Sequence, residues 1–345
     1  MGYWVVYSAV IGAVIGAVIG AAISVYRTWQ RSRRDKPASL AIEDQYQHVL
    51  ASIRRPYRAL IDTDPTGAGR YKLLVRLGSG GFGTVYLGVR RNGDLAAIKF
   101  LSERLANSSR LRDWFNGEIG FGLRARGGYT PRILAADLEA SRPWVAMEFI
   151  NAPSLAEVVS PRGPLSSEGV ILFATLTIRA VINIHTAGVI HLDLNPSNIL
   201  LTPDPLGIRI VDFGISQAVS GAVFDRSVAG SAPGYLSPEQ AEGKKPTVAS
   251  DVFTWACTVC YAASGKSPFG TGTPDQLMYR AAREDPNLPD LPAVLTPLVE
   301  ASLSKDQSKR PTPQAIADAL TPKSAGIAER FSLSADRLAH TGIYE

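Results

Sequence analysis

Four glycines crowd the stretch Leu77 to Tyr86, LGSGGFGTVY, and what flanks them narrows the architecture sharply. Upstream, YKLLVRL reads as a strand, and downstream VYLGVRR reads as another. A glycine fingerprint for dinucleotides opens a helix after its last glycine. A strand follows here, so the loop is a flap joining two strands, with a nucleotide beneath it. Glycine lets the backbone approach phosphate oxygens closely and offers its amides to them.

The strand pattern continues. DLAAIKFL reads as a third strand, and PRILAADLEA and RPWVAMEFI as two more after a helical stretch around Arg110 to Ala125. From about residue 166 the apolar spacing is mostly helical. Strands first and helices afterwards imply an α+β chain, with a small sheet lobe over 71–150 and a larger helical lobe over 151–321. Residues 27–70 read as a basic, then mixed, juxtamembrane stretch. Within it SLAIEDQYQHVLASIRRPYRAL has helical spacing and DTDPTGAGR reads as a linker. Residues 322–345 read as a loose tail. With 46% hydrophobic and 19% charged residues, the chain has enough apolar mass for a sizeable core, which excludes global disorder. Two cysteines, Cys257 and Cys260, exclude a disulfide scaffold. Their C-x-x-C spacing lies in DVFTWACTVCYAASG, which reads as a buried helix, and no second pair completes a zinc site.

Lys99 closes the strand motif AAIK, about sixteen residues beyond the glycine loop, within reach of the α- and β-phosphates. A lysine there needs a carboxylate to hold it, and Glu118 is the candidate. Further on come HTAGVIHLDLNPSNILLTPDPLGIRIVDFG, then SPE at Ser237 to Glu239, then KRPT around Arg310. In this order the motifs resemble the eukaryotic-like serine/threonine protein kinases of bacteria, within the protein kinase superfamily, over about Tyr71 to Leu320.

The resemblance implies a two-lobed protein kinase fold that phosphorylates Ser or Thr of a protein substrate with ATP and Mg²⁺ (or Mn²⁺). By it, Leu77, Gly78, Gly80, Gly83, Val85, Ala97, Lys99, Met147, Glu148, Ile150 and Leu200 form the ATP pocket, with Met147 to Ile150 as the adenine hinge. Lys99 pairs with Glu118. Asp193 is the catalytic aspartate, and Asn198 and Asp212 hold the metal. His191, Phe213, Glu239, Asp251 and Arg310 support the site, Arg310 as the buried partner of Glu239. Asp193 needs no raised pKa, because it mainly orients the hydroxyl.

The chain departs from the family pattern at four places. Leu192 replaces the arginine that grips an activation-loop phosphate, which implies activity independent of loop phosphorylation. Asn195 replaces a lysine that contacts the γ-phosphate, which implies a slow enzyme. GSAPGYLSPEQ puts no Thr at the usual place, and Ser231 reaches it only with a one-residue insertion before Tyr235. Gly117, Gly120 and Gly122 weaken the helix bearing Glu118 and imply a helix ordered by a partner. These departures leave a rival reading, a nucleotide-binding pseudokinase that serves as a membrane scaffold.

Residues 3–26, YWVVYSAVIGAVIGAVIGAAISVY, carry no charge and are long enough for a transmembrane helix, which takes about 20 apolar residues. The basic residues Arg27, Arg31, Arg33, Arg34 and Lys36 follow directly. By the positive-inside rule this implies a single-pass plasma-membrane protein, its N-terminus outside and its kinase-like region cytoplasmic. Gly12, Gly16 and Gly20 line one helix face that suits a homodimer. The net charge of +5 is explained by this membrane-proximal cluster, and no nucleic-acid partner is implied.

Overall fold

The computed structural model describes residues 47, 49–80, 83–102, 106, 128–204, 207–212 and 232–321. Two compact units divide the chain, 1–53 and 54–345. The membrane helix expected over 3–26 with Gly12, Gly16 and Gly20, the basic cluster, Glu118 and its helix, Phe213 and the tail all lie outside the described residues. Of the first unit, residues 47 and 49–51 are helical.

In the second unit a six-stranded antiparallel sheet comes first. Its strands are β1 (Gly67–Ala68), β2 (Tyr71–Gly80), β3 (Gly83–Val89), β4 (Leu95–Leu101), β5 (Ile133–Asp137) and β6 (Trp144–Glu148), in the order β1-β2-β3-β4-β6-β5. Alternation in β2 sends Tyr71, Leu73 and Val75 inward. Tyr71 and Leu73 pack with Tyr86, Ile98, Phe100 and Trp144 into the core of the small lobe.

The large lobe is helical: α1 (Leu155–Arg162), α2 (Ser167–Thr186), α3 (Pro238–Ala241), α4 (Val248–Ser264), α5 (Pro274–Arg283) and α6 (Thr296–Ser302), then a helix over 313–321. Local chemistry sets the starts. Ser154 and Glu157 close a capping box on α1, Thr247 and Ser250 on α4, and Thr273 and Gln276 on α5. Gly265 ends α4 in the left-handed region, φ 72°, which glycine adopts without a Cβ clash. Helix α4 is buried nearly all round, and Trp255 Nε1–H donates to the Ala174 carbonyl of α2 at 3.1 Å. Cys257 and Cys260 are packed inside it, with burial pushing the Cys260 thiol up to about 12. Among the described residues, α2 alone is long and apolar enough to cross a membrane, and it lies in the large-lobe core.

Three local expectations change. The linker reading of DTDPTGAGR is incomplete, because Gly67 and Ala68 pair with Lys72 and Tyr71 as β1. The helical spacing read over SLAIEDQYQHVLASIRRPYRAL gives described helix only to residue 51. Pro56 has no N–H and disfavours helical geometry at Arg55, and Arg58 then forms an isolated bridge with Arg76. The mostly helical region also holds a hairpin, β7 (Ile199–Leu201) with β8 (Ile208–Ile210), with Asp193 and Asn198 just before its first strand and Asp212 just after its second.

Candidate active site

The cleft between the sheet and the helices encloses about 890 Å³. Its roof is the β2–β3 turn, where Gly80 faces Gly83. Gly83 has φ 155°, and a Cβ there would sit 1.8 Å from the Phe100 carbonyl oxygen, so only glycine fits. At Gly78 and Gly80 an added Cβ would meet nothing within 4 Å. Packing within the protein does not demand those two glycines. The open space beneath them suits a ligand that approaches the backbone.

Register carries the side chains under the roof. Lys99 lies opposite Val85 on one neighbouring strand and Val145 on the other, and Ala97 lies opposite Met147. Leu77, Val85, Ala97, Met147, Glu148, Ile150 and Leu200 all line the cleft, with Gly78, Gly80 and Gly83. Lys99 is buried, and its Nζ reaches Asp212 Oδ1 at 3.1 Å. Burial works to raise the Asp212 carboxyl, but the Lys99 ammonium overrides it and holds the group below its ordinary value.

Asp193 sits between two amides. Asn195 Nδ2 donates to Asp193 Oδ1 at 3.0 Å, and Asn198 Nδ2 donates to Oδ2 at 3.0 Å. Each amide also reaches the Asp193 carbonyl, at 3.1 and 2.9 Å. The Asn195 amide is thus spent on orienting the aspartate. With its Nδ2 committed, Asn198 keeps Oδ1 as an acceptor. An amide oxygen, the Asp212 carboxylate and phosphate oxygens are the hard donors Mg²⁺ takes, so these residues fit the metal. Burial pushes the Asp193 carboxyl up to about 7, against the expectation that no raised pKa was needed. The shift brings it near the range where a carboxylate takes a proton effectively.

A second set of bonds fixes the catalytic segment from below. Asp251, buried in the first turn of α4, accepts the N–H of His191 and of Leu192, each at 2.7 Å, and sits 2.7 Å from His185 Nε2. The Val211 carbonyl can only accept, so His191 Nε2 carries the hydrogen in their 3.3 Å contact, and Nδ1 accepts the Asp193 N–H at 3.3 Å. Burial lowers the His191 pKa and favours this neutral ring. Leu192 and Asp212 both have positive φ, 63° and 55°, a strained geometry that clusters at functional sites. Glu239 takes both Arg310 nitrogens, at 2.7 and 2.8 Å, and Ser250 Oγ at 2.6 Å.

Sequence reading passed over several participants. Gln240 Nε2 donates to the Leu192 carbonyl at 2.9 Å, and its only sequence signal is adjacency to Glu239. His185 has no signal beyond its place at the end of a helix. Arg55 and Pro56 line the cleft from a stretch that reads as juxtamembrane.

Residues 71–320 match the family described as the protein kinase domain. The chain belongs to the protein kinase family. Among its relatives, the serine/threonine-protein kinase AfsK of Streptomyces coelicolor is 37% identical over 265 residues, 76% of this chain and 33% of that protein. AfsK of Streptomyces griseus is 38% identical over 249 residues, 72% of this chain and 31% of that protein. The probable serine/threonine-protein kinase PkwA of Thermomonospora curvata is 36% identical over 251 residues, covering 72% and 33%. This kinase chain thus spans about a third of the length of these curated relatives. The PknI kinase domain of Mycobacterium tuberculosis shares the fold, with a TM-score of 0.58 at 22% identity, covering 76% of this chain and 100% of that one. By name, these three relatives are bacterial serine/threonine-protein kinases.

Proposed function

We propose that this kinase transfers the γ-phosphoryl group of ATP to Ser or Thr hydroxyls of a protein, using Mg²⁺ or Mn²⁺ held by Asn198 and Asp212. The observation that carries the reading is the convergence of Lys99, Asp193, Asn198 and Asp212 in one cleft under a glycine roof. Phosphoryl transfer needs positioning and neutralisation of spreading charge more than covalent work. The metal supplies part of that neutralisation when bound. Lys99 holds phosphate oxygens, and the loop amides cover them. Asp193, steadied by Asn195 and Asn198, orients the acceptor hydroxyl and takes its proton at a carboxylate oxygen. Incorporation of label from ATP with Mg²⁺, compared between the full chain and Asp193→Ala, tests the reading. No transfer by the wild type to itself or to a generic basic substrate would overturn it.

Asn195 brings no charge to the γ-phosphate, and losing one charged donor in such a site costs on the order of 2–4 kcal/mol, so turnover is slow. Leu192 offers no grip for a loop phosphate, which supports activity without loop phosphorylation. Changing Ser216, Ser220, Ser227 and Ser231 together to Ala and finding activity abolished with the fold intact would refute that.

The charge-free run over 3–26 and the basic residues after it support a single-pass anchor in the plasma membrane, with the kinase domain cytoplasmic and Gly12, Gly16 and Gly20 available for a homodimer. Recovery of the full chain in the soluble fraction after cell lysis would count against the anchor.

A further inference from the structure

Three residues that precede the family's domain sit on the hinge side of the nucleotide cleft. The Arg54 N–H donates to Asn151 Oδ1 at 2.8 Å, and Asn151 directly follows the hinge residue Ile150. Arg55 reaches Glu157 at the start of α1, with 3.6 Å between Nη2 and Oε1. Arg55 and Pro56 share the cleft wall with Lys99 and Asp212. The Arg55 Nε is buried and, among the described residues, has no hydrogen-bond partner.

The geometry points to Arg55 as a nucleotide-phosphate ligand contributed from outside the kinase domain. A guanidinium with a buried idle donor and, among the described residues, a single, loosely spaced carboxylate is matched by an anion, and phosphate is the anion its planar fork fits. Asn195 leaves the cleft one cation short of the family pattern, and Arg55 brings a cation to the wall of the same cleft. The segment does not plug the site. With Arg55 and Pro56 in place the cleft still encloses about 890 Å³, within the size of small-molecule sites. Asn151 acts as a positioning residue, holding the backbone of Arg54 so that the next side chain points inward.

This assignment rests on the kinase reading above, and calorimetry on the full chain separates the two. ADP with Mg²⁺ and adenosine are titrated into wild type, Arg55→Ala, Arg55→Gln and Asn151→Ala, with thermal unfolding as a check on folding. Both Arg55 variants are expected to lose about ten-fold or more in ADP affinity while keeping adenosine affinity. Asn151→Ala is expected to shift in the same direction by less. Unchanged ADP affinity in both Arg55 variants, tighter binding, or an equal loss for adenosine would each overturn the assignment while leaving the kinase reading intact. A wild type that binds no ADP would overturn both.

Discussion

Gln240, in α3, donates its side-chain amide to the backbone carbonyl of Leu192 at 2.9 Å. The same side chain accepts from the Ser237 N–H at 3.1 Å and from Ser237 Oγ–H at 2.8 Å. The residue before the catalytic aspartate is thereby tied to α3 by a neutral bond. Gln240→Leu leaves a buried carbonyl without a donor, at about 1–3 kcal/mol. We expect a lower Tm by several degrees and a reduced kcat. A thermal melt and turnover both matching wild type would show that the tie is idle.

Asn195 holds one carboxylate oxygen of Asp193 and Asn198 the other. Asn195→Ala frees Asp193 on one side. Hydrogen bonds to charged groups contribute about 1.5–3 kcal/mol, so kcat should fall roughly ten-fold or more with KM for ATP little changed. A rise in KM alone would instead assign Asn195 to nucleotide binding.

Glu239 and Arg310 form an ion pair buried on both sides. Breaking it from one side with Arg310→Met strands a buried carboxylate, at about 3–5 kcal/mol. Burial works to raise the Glu239 carboxyl, but the bonds from Arg310 and Ser250 and the Arg310 charge outweigh it, so Glu239 titrates below its ordinary value of 4.5. A depressed folded-state value means that this stability is present above the unfolded-state value and is lost as pH falls through the folded one. Denaturant unfolding from pH 7 down to 3 should therefore show an acid-side decline in wild type that is shallower in Arg310→Met. Parallel curves would refute the linkage.

Asp64, in a stretch whose sequence reads as linker, accepts from Arg76 Nε at 2.6 Å and from the Tyr86 hydroxyl at 2.6 Å, and its carboxylate is almost wholly shielded. A chain starting at Tyr71 loses this anchor along with β1. We expect Asp64→Ala to cost about 1–3 kcal/mol in urea unfolding, and the chain shortened to Tyr71 to be less stable still. Equal midpoints for all three would show that the segment contributes nothing.

Legibility followed the range of the interaction. The glycine roof, Lys99 two strands on, and Asp193 with Asn198 five residues beyond it could be read directly. Each depends on spacing along one or two adjacent elements, where strand alternation or a single turn fixes relative position. Strand order and helical succession likewise gave the two lobes. The sequence alone therefore determined the family, the roof and the acidic, amide and lysine groups beneath it.

The tertiary structure alone decided which distant residues meet them. Gln240 lies 48 positions from the carbonyl it binds, and Asn151 lies 97 from the amide it accepts. Such pairs form when packing brings separate elements together, and no local pattern encodes that approach. Burial is collective in the same way. The desolvation that lifts Asp193 to about 7 comes from every element closing around it, and a linear spacing cannot carry it.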